Sequence, residues 1–236
     1  VEDFIPGVEI ALEGLLCNGE LHVLAVFDKP DPLDGPYFAE TYYVTPSRLP
    51  TPMQELVRTR VAQACRAYGL HHGPIHAELR LWDQEAWLLE LAARTIGGEC
   101  ARLLRFGSGA SLEELVLANA VGQSVEKSRG DGAAGVMMVP VHEAGCLRRV
   151  EGVLQARRVT FVEDVVISVR EGYELVPLPE GSSYLGFIFA QGPSAETVEN
   201  ALREAFAKLR VVTAPVWHIA PPRRGQSVDA TFSSPT

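Results

Sequence analysis

Apolar and polar positions along the chain fall into short alternating runs interrupted by longer helical periods. VEIALEGLLC (8–17) and ELHVLAVFD (20–28) flank Asn18-Gly19, a dipeptide suited to a tight type I′ turn, and predict a β-hairpin. DKPDPLDGPYF (28–38), rich in proline, reads as a loop, and ETYYVTPS as a short strand. From Thr51-Pro52, residues Met53, Leu56, Val57, Val61, Ala64, Cys65 and Tyr68 recur at helical spacing until Gly69. Ser111 and Glu114 form a capping box that opens a second helix. SVEKSRGDGAA (124–134) is polar and glycine-bearing, the composition of a linker. Beyond it GVMMVPV, EDVVISV and YLGFIFA read as strands, and AETVENALREAFAKL as an amphipathic helix. The predicted class is α+β. An antiparallel sheet with helices occupies residues 1–123, a linker 124–134, a small α+β domain 135–217, and a flexible tail 218–236.

HAELRLWDQEAWLLELAAR (76–94) holds the least ordinary pattern. As a hairpin centred near Gln84, it places His76, Glu78 and Arg80 on one face of the first strand and Leu88, Glu90, Ala92 and Arg94 on that face of the second. The pairs would be Arg80 with Leu88, Glu78 with Glu90, and His76 with Ala92. Directly opposed side chains lie ~4.5–5.5 Å apart at Cβ, where like charges repel, so the acid pair needs an offset. Three answers stand open: both carboxylates reach solvent, they share a proton, or a divalent cation bridges them. Arg94 adds a fixed charge suited to a phosphate oxygen, which favours phosphoryl chemistry over glycoside hydrolysis.

Net charge is −9, from 21 basic against 30 acidic residues, which argues against nucleic acid or an anionic membrane as the main partner. No apolar run is long enough to span a membrane. Cys17, Cys65, Cys100 and Cys146 are scattered, as reduced cytoplasmic thiols would be. The histidines are dispersed and no nucleophile elbow occurs, so a serine or cysteine hydrolase has no supporting arrangement.

VEDFIPGVEIALEG, FDKPDP, AETYYVTPS, HAELRL and LLELAARTIGG follow the order and spacing of ATP-grasp enzymes, and most resemble the L-amino acid ligases and related carboxylate–amine ligases. The segment containing AGVMMVPV and LVPLPEGSSYLGFIFAQG is similar to the C-terminal domain of those ligases, itself related to that of biotin carboxylase. The resemblance implies ATP and Mg²⁺ (or Mn²⁺) as cofactors, and a small carboxylate and an amine, both amino acids, as substrates. It implies that Glu78 and Glu90 ligate the metal, and that Arg94 stabilises the transferring phosphoryl group. It sets Glu2, Asp3, Phe4 and Ile5 along the adenine edge and gives Glu9 either a ribose contact or a solvent-facing strand position. Glu40 would receive the substrate amino group, and Tyr43 stands where relatives can carry histidine. Gly98 stands where some dipeptide ligases carry tryptophan, which predicts room for a substrate larger than alanine. Lys29 is expected to be an ordinary loop lysine, and His76 a packed structural histidine.

Ala92 replaces an asparagine of biotin carboxylase, which speaks against a biotin-carboxylase-like alternative. The chain opens in strand-like sequence at Val1, as a piece of something longer would. The glycine-rich flap and lysines that the family places earlier do not precede Val1. The expectation is therefore the back half of a ligase site, inactive alone and completed by an N-terminal half or a homo-oligomer. A non-catalytic chain is the remaining reading.

Overall fold

The structure is a computed structural model, described for residues 3–35, 37–38, 40–107, 109–123, 130–181 and 184–216. Glu2, most of the predicted linker and the predicted tail lie outside the described residues. In chain order the elements are β1 (Val8–Cys17), β2 (Glu20–Asp28), β3 (Tyr42–Thr45), α1 (Thr51–Ala67), β4 (Gly73–Trp82), β5 (Glu85–Ala92), a 3₁₀ turn (Cys100–Leu103) and α2 (Leu112–Ala120). They continue with β6 (Ala133–Val139), β7 (Gly145–Glu151), α3 (Val153–Ala156), β8 (Val162–Ile167), β9 (Glu174–Leu175), β10 (Gly186–Gly192), α4 (Ala195–Lys208) and β11 (Arg210–Ala214). The fold is α+β, with eight strands in one sheet ordered β5-β4-β1-β2-β3-β6-β10-β8 and a second sheet ordered β11-β7-β9.

Local sequence accounts for the elements that build the site. Asn18 and Gly19 both take positive φ, closing the β1–β2 hairpin without opposing its twist. Helix α1 starts on proline, whose missing N–H costs nothing in a first turn. Ser111 and Glu114 satisfy each other's backbone donors in a capping box before α2. The large sheet crosses the predicted linker: β3 pairs with β6 through Tyr42↔Met137 and Val44↔Gly135. Segments on both sides of 124–134 therefore contribute strands to one sheet.

Strand β1 is buried on both faces, and the two faces differ in kind. Ile10, Leu12 and Leu16 pack with Val57, Val61 and Cys65 of α1 and with Ala77 and Leu79 of β4. The opposite face carries Glu9, Ala11 and Glu13. Above it Leu15, Phe27, Tyr43, Cys100, Leu104 and Met138 form a second core, while α4 covers a third around Tyr42, Met137 and Leu202.

The hairpin register confirms two predicted pairs, His76↔Ala92 and Glu78↔Glu90. The third is corrected: Arg80 faces Trp87, because a bulge between Glu78 and Leu79 leaves Leu89 as an extra residue on β5. Leu88 consequently turns from the expected polar face to pack beside Leu79, Ala86 and Leu91. Apolar residues three apart at 88 and 91 can share one strand face only across such an insertion.

Candidate active site

The polar faces of β1 and β4 make a charge lattice. Across the two strands Glu9 opposes Arg80, Ala11 opposes Glu78, and Glu13 opposes His76. Lys29, immediately after β2, reaches into this lattice. Its Nζ donates to Glu9 Oε1 at 2.7 Å, Glu40 Oε1 at 2.5 Å and Glu78 Oε1 at 3.0 Å. The side chain is almost fully buried, so the expectation of an ordinary loop lysine is overturned. Burial works against its charge, but Glu40 and Glu78 outweigh that and hold the ammonium well above the usual lysine range.

Glu78 accepts from Lys29, from the Tyr43 hydroxyl at 3.3 Å, and lies 3.4 Å from His76 Nε2. Burial pushes its carboxyl up, yet His76 and Lys29 dominate and bring it down to about 2. Burial also raises Glu40, and Lys29 offsets this only in part. Tyr43 is held strongly protonated by burial and by the charges of Glu40 and Glu78, leaving it a donor. His76 is buried as expected for a structural histidine, but it also touches the acid cluster. Burial would depress it, whereas Glu13 and Glu78 raise it to about 9.

Glu13, fully buried, had no role in the sequence reading. Its Oε2 accepts from the Ile96 backbone N–H at 3.1 Å and lies 3.4 Å from His76 Nδ1, while Oε1 has no partner. Burial raises its carboxyl, opposed first by His76. Glu13 thereby ties the sheet to the segment after β5. A sequence signal for it existed: Glu13 shares strand parity with Glu9 in a run that is otherwise apolar.

Arg80 is the second buried cation. It donates to Glu9 Oε2 at 3.0 Å, to the Ile5 carbonyl at 2.7 Å and to the Leu33 carbonyl, beneath the stacked rings of Phe4 and Phe38. Glu9 therefore sits buried between Lys29 and Arg80 rather than facing solvent. Asp3 and Phe4 are exposed.

A cavity of about 340 Å³ opens beside these groups, and its walls include Glu40, Tyr43, His76, Glu78, Arg94 and Gly98. Glu90 is half exposed and accepts from Arg94 at 3.2 Å. Gly98 adopts φ +60°, and a Cβ there would come 2.7 Å from Met138 Sδ. The room that glycine was expected to leave is thus partly taken by Met138.

The cations also settle how the opposed acids coexist. Lys29 and His76 compensate Glu78, and Arg94 compensates Glu90, so tolerance of the pair is no argument for a metal. Two sets of oxygen donors are candidates for a hard cation. One oxygen each of Glu9, Glu40 and Glu78 lies within 4.8 Å of the others, but Lys29 Nζ bonds to an oxygen of all three, and the trio does not fit an added ion. Glu78 and Glu90 keep the donor chemistry such a site needs: they are direct cross-strand partners, and Glu90 is open to solvent.

The ATP-grasp domain model matches residues 1–102, and the model for L-amino acid ligase C-terminal domain 2 matches residues 137–214. Residues 1–102 belong to the ATP-grasp family. The L-amino acid ligase from Bacillus licheniformis superposes with a TM-score of 0.79 at 31% identity, covering 89% of this chain and 53% of that one. Alanine–anticapsin ligase of Bacillus subtilis is 29% identical over 109 residues, which is 46% of this chain and 22% of that protein. Carnosine synthase 1 of Gallus gallus is 35% identical over 96 residues, 41% of this chain and 10% of that protein. The chain thus spans about half the length of the ligase structure, and its alignments cover a smaller share of these two curated relatives. Among the described residues no helix is long and apolar enough to cross a membrane, and all four cysteines are free thiols.

Proposed function

We propose that this ATP-grasp chain carries the carboxylate-lined side of an ATP- and Mg²⁺-dependent carboxylate–amine ligase site acting on amino acids. The observation that carries the reading is one cavity bringing together Glu40, Tyr43, Glu78, Arg94 and Gly98 from three separate segments of sequence. In this reaction the γ-phosphoryl group of ATP passes to a substrate carboxylate oxygen and ADP leaves. The amine then attacks the acyl carbon, and phosphate departs with that oxygen.

Glu78 and Glu90 would hold Mg²⁺ (Mn²⁺ serving as well), which supplies charge neutralisation to the nucleotide phosphates. Lys29, Tyr43 and His76 keep Glu78 ionised and oriented as a donor. Arg94, on the cavity wall, places a guanidinium against the oxygens of the transferring group once it leaves Glu90. Glu40 offers an anionic partner to a substrate ammonium. The segment through Phe4 and Ile5, pinned by Arg80, would border the adenine. Glu9 serves as the counter-charge of Lys29 and Arg80 in preference to a ribose contact, because its carboxylate is already bonded to both.

Arg94 and His76 are the basic side chains on the cavity wall among the described residues. A triphosphate carries more charge than they neutralise, so nucleotide binding by this chain alone is expected to be weak. The test is ADP release by the intact gene product across a matrix of paired amino acids. Release should require Mg²⁺ and both amino acids, and should vanish in Glu90→Ala and in Arg94→Ala. Turnover that survives both substitutions would remove the assignment.

A further inference from the structure

We propose that Glu199 and Arg203, on α4 of the C-terminal segment, are positioning residues for Lys29 and Glu40; the functional part of this inference rests on the ligase reading. Arg203 donates to Asp31 Oδ1 at 2.6 Å, and Asp31 Oδ2 accepts from the Thr41 hydroxyl at 3.0 Å. The same guanidinium bonds to Glu199 at 2.9 Å and lies 4.5 Å over the Tyr42 ring. Glu199 in turn accepts from Arg48 at 2.8 Å, and Arg48 donates to Asp28 from its Nε at 2.8 Å and its backbone N–H at 3.1 Å.

The anchored residues bracket the site groups. Lys29 follows Asp28 and precedes Asp31 by two residues, and Glu40 immediately precedes Thr41. Within the loop Thr41 bonds to Asp31 and Lys29 to Glu40, and the contacts from α4 restrain both ends from far along the chain. The partners of Asp31 and Arg48 on α4 come 172 and 151 residues later in the chain. An isolated exposed ion pair contributes little, because water screens it and two long side chains lose freedom to form it. Here the charges share one connected network, and two of its acids are largely shielded: the side chains of Glu199 and Asp28 are 15% and 11% exposed. Stacking on Tyr42, itself buried in the core beneath α4, fixes the plane of the Arg203 fork. A helix outside the acid-lined face thus acts, together with the direct bonds from Glu9 and Glu78, on where the Lys29 ammonium and the Glu40 carboxylate stand.

Reductive methylation followed by mass spectrometry tests this through the two lysines the structure describes. In the intact protein Lys208, half exposed, should react readily and Lys29 slowly. In the double variant Arg203→Met/Glu199→Gln, the Lys29 rate relative to Lys208 should rise by about tenfold, measured well below the variant's melting temperature. Asp31→Asn, which breaks the network from the loop side and leaves α4 intact, should give a selective rise of the same kind, and Arg203→Lys should recover part of the protection. An unchanged ratio in both the double variant and Asp31→Asn would overturn the proposal. For ligase activity, Arg203→Met should raise the amino acid concentration giving half-maximal ADP release more than it lowers kcat. If the intact protein shows no amino-acid-dependent ADP release, the ligase reading fails, and the labelling ratio still decides the clamp.

Discussion

Strands β1 and β4 present two faces only a backbone apart, built by opposite rules. Toward α1, Ile10, Leu12, Ala77 and Leu79 pack among apolar neighbours and need no particular partner atom. Toward the cavity, Glu9, Glu13, His76, Glu78 and Arg80 are buried or nearly so, and each depends on named atoms contributed by other segments. The apolar face gains by removal from water whatever its detailed geometry. The polar face loses by the same removal and is repaid only through correct pairing. On the proposed reading, this costly face is the one that serves the chemistry.

Substitutions can break this contrast, and the largest effect is expected on the polar side. Lys29→Met keeps the apolar stem but leaves Glu9, Glu40 and Glu78 without their shared ammonium. Removing one partner of a buried ion network costs about 3–5 kcal/mol, which urea denaturation at neutral pH would register. On the opposite face, Leu79→Ala at a fully buried position should cost about 3 kcal/mol through lost transfer energy and the cavity left behind. Its cost should be nearly independent of pH, whereas that of Lys29→Met should shrink in acid as the carboxylates protonate.

The two faces also differ in their linkage to pH. His76 is raised from an ordinary 6.5 to about 9, so its contribution is complete below about 6.5 and lost as pH climbs through 9. Glu78 is lowered from 4.5 to about 2, so its contribution is complete above about 4.5 and disappears as pH falls toward 2. Glu13→Gln retains an acceptor for the Ile96 N–H but removes the charge nearest His76 Nδ1. Melting temperature plotted against pH should therefore fall less between 6.5 and 9 in this variant than in the unaltered chain. The smallest effect on stability belongs to Arg94→Ala. Its side chain is half exposed and pairs only at the rim, so the change should stay within about 0.5 kcal/mol while activity is lost.

Much of the fold was legible because local chemistry dictated it. The Asn18-Gly19 turn, the capping box at Ser111 and the apolar stripe of α1 each follow from neighbours a few residues apart. Alternation in HAELRL also set Glu78 opposite Glu90. The bulge at Leu89 was harder, since it appears only as a slip in the phase of apolar positions at 88 and 91. Lys29 was misread because its sequence context is a proline-rich loop, while one of the carboxylates that bury it lies 49 residues away. The pairing of β3 with β6 was equally invisible, because a four-residue strand carries too little pattern to name its partner. Glu40 and Arg94 were singled out through resemblance; their shared cavity depends on distant segments that no local pattern reveals.

On the proposed function, the acid-lined cavity serves transfer of a phosphoryl group onto a carboxylate. A substrate amino acid carrying ¹⁸O in its carboxyl group tests this most directly, with the intact gene product, ATP, Mg²⁺ and a second amino acid. The phosphate released should contain one ¹⁸O atom from the substrate, and Glu78→Gln should abolish this label transfer. Amide product accompanied by phosphate free of ¹⁸O would contradict that function.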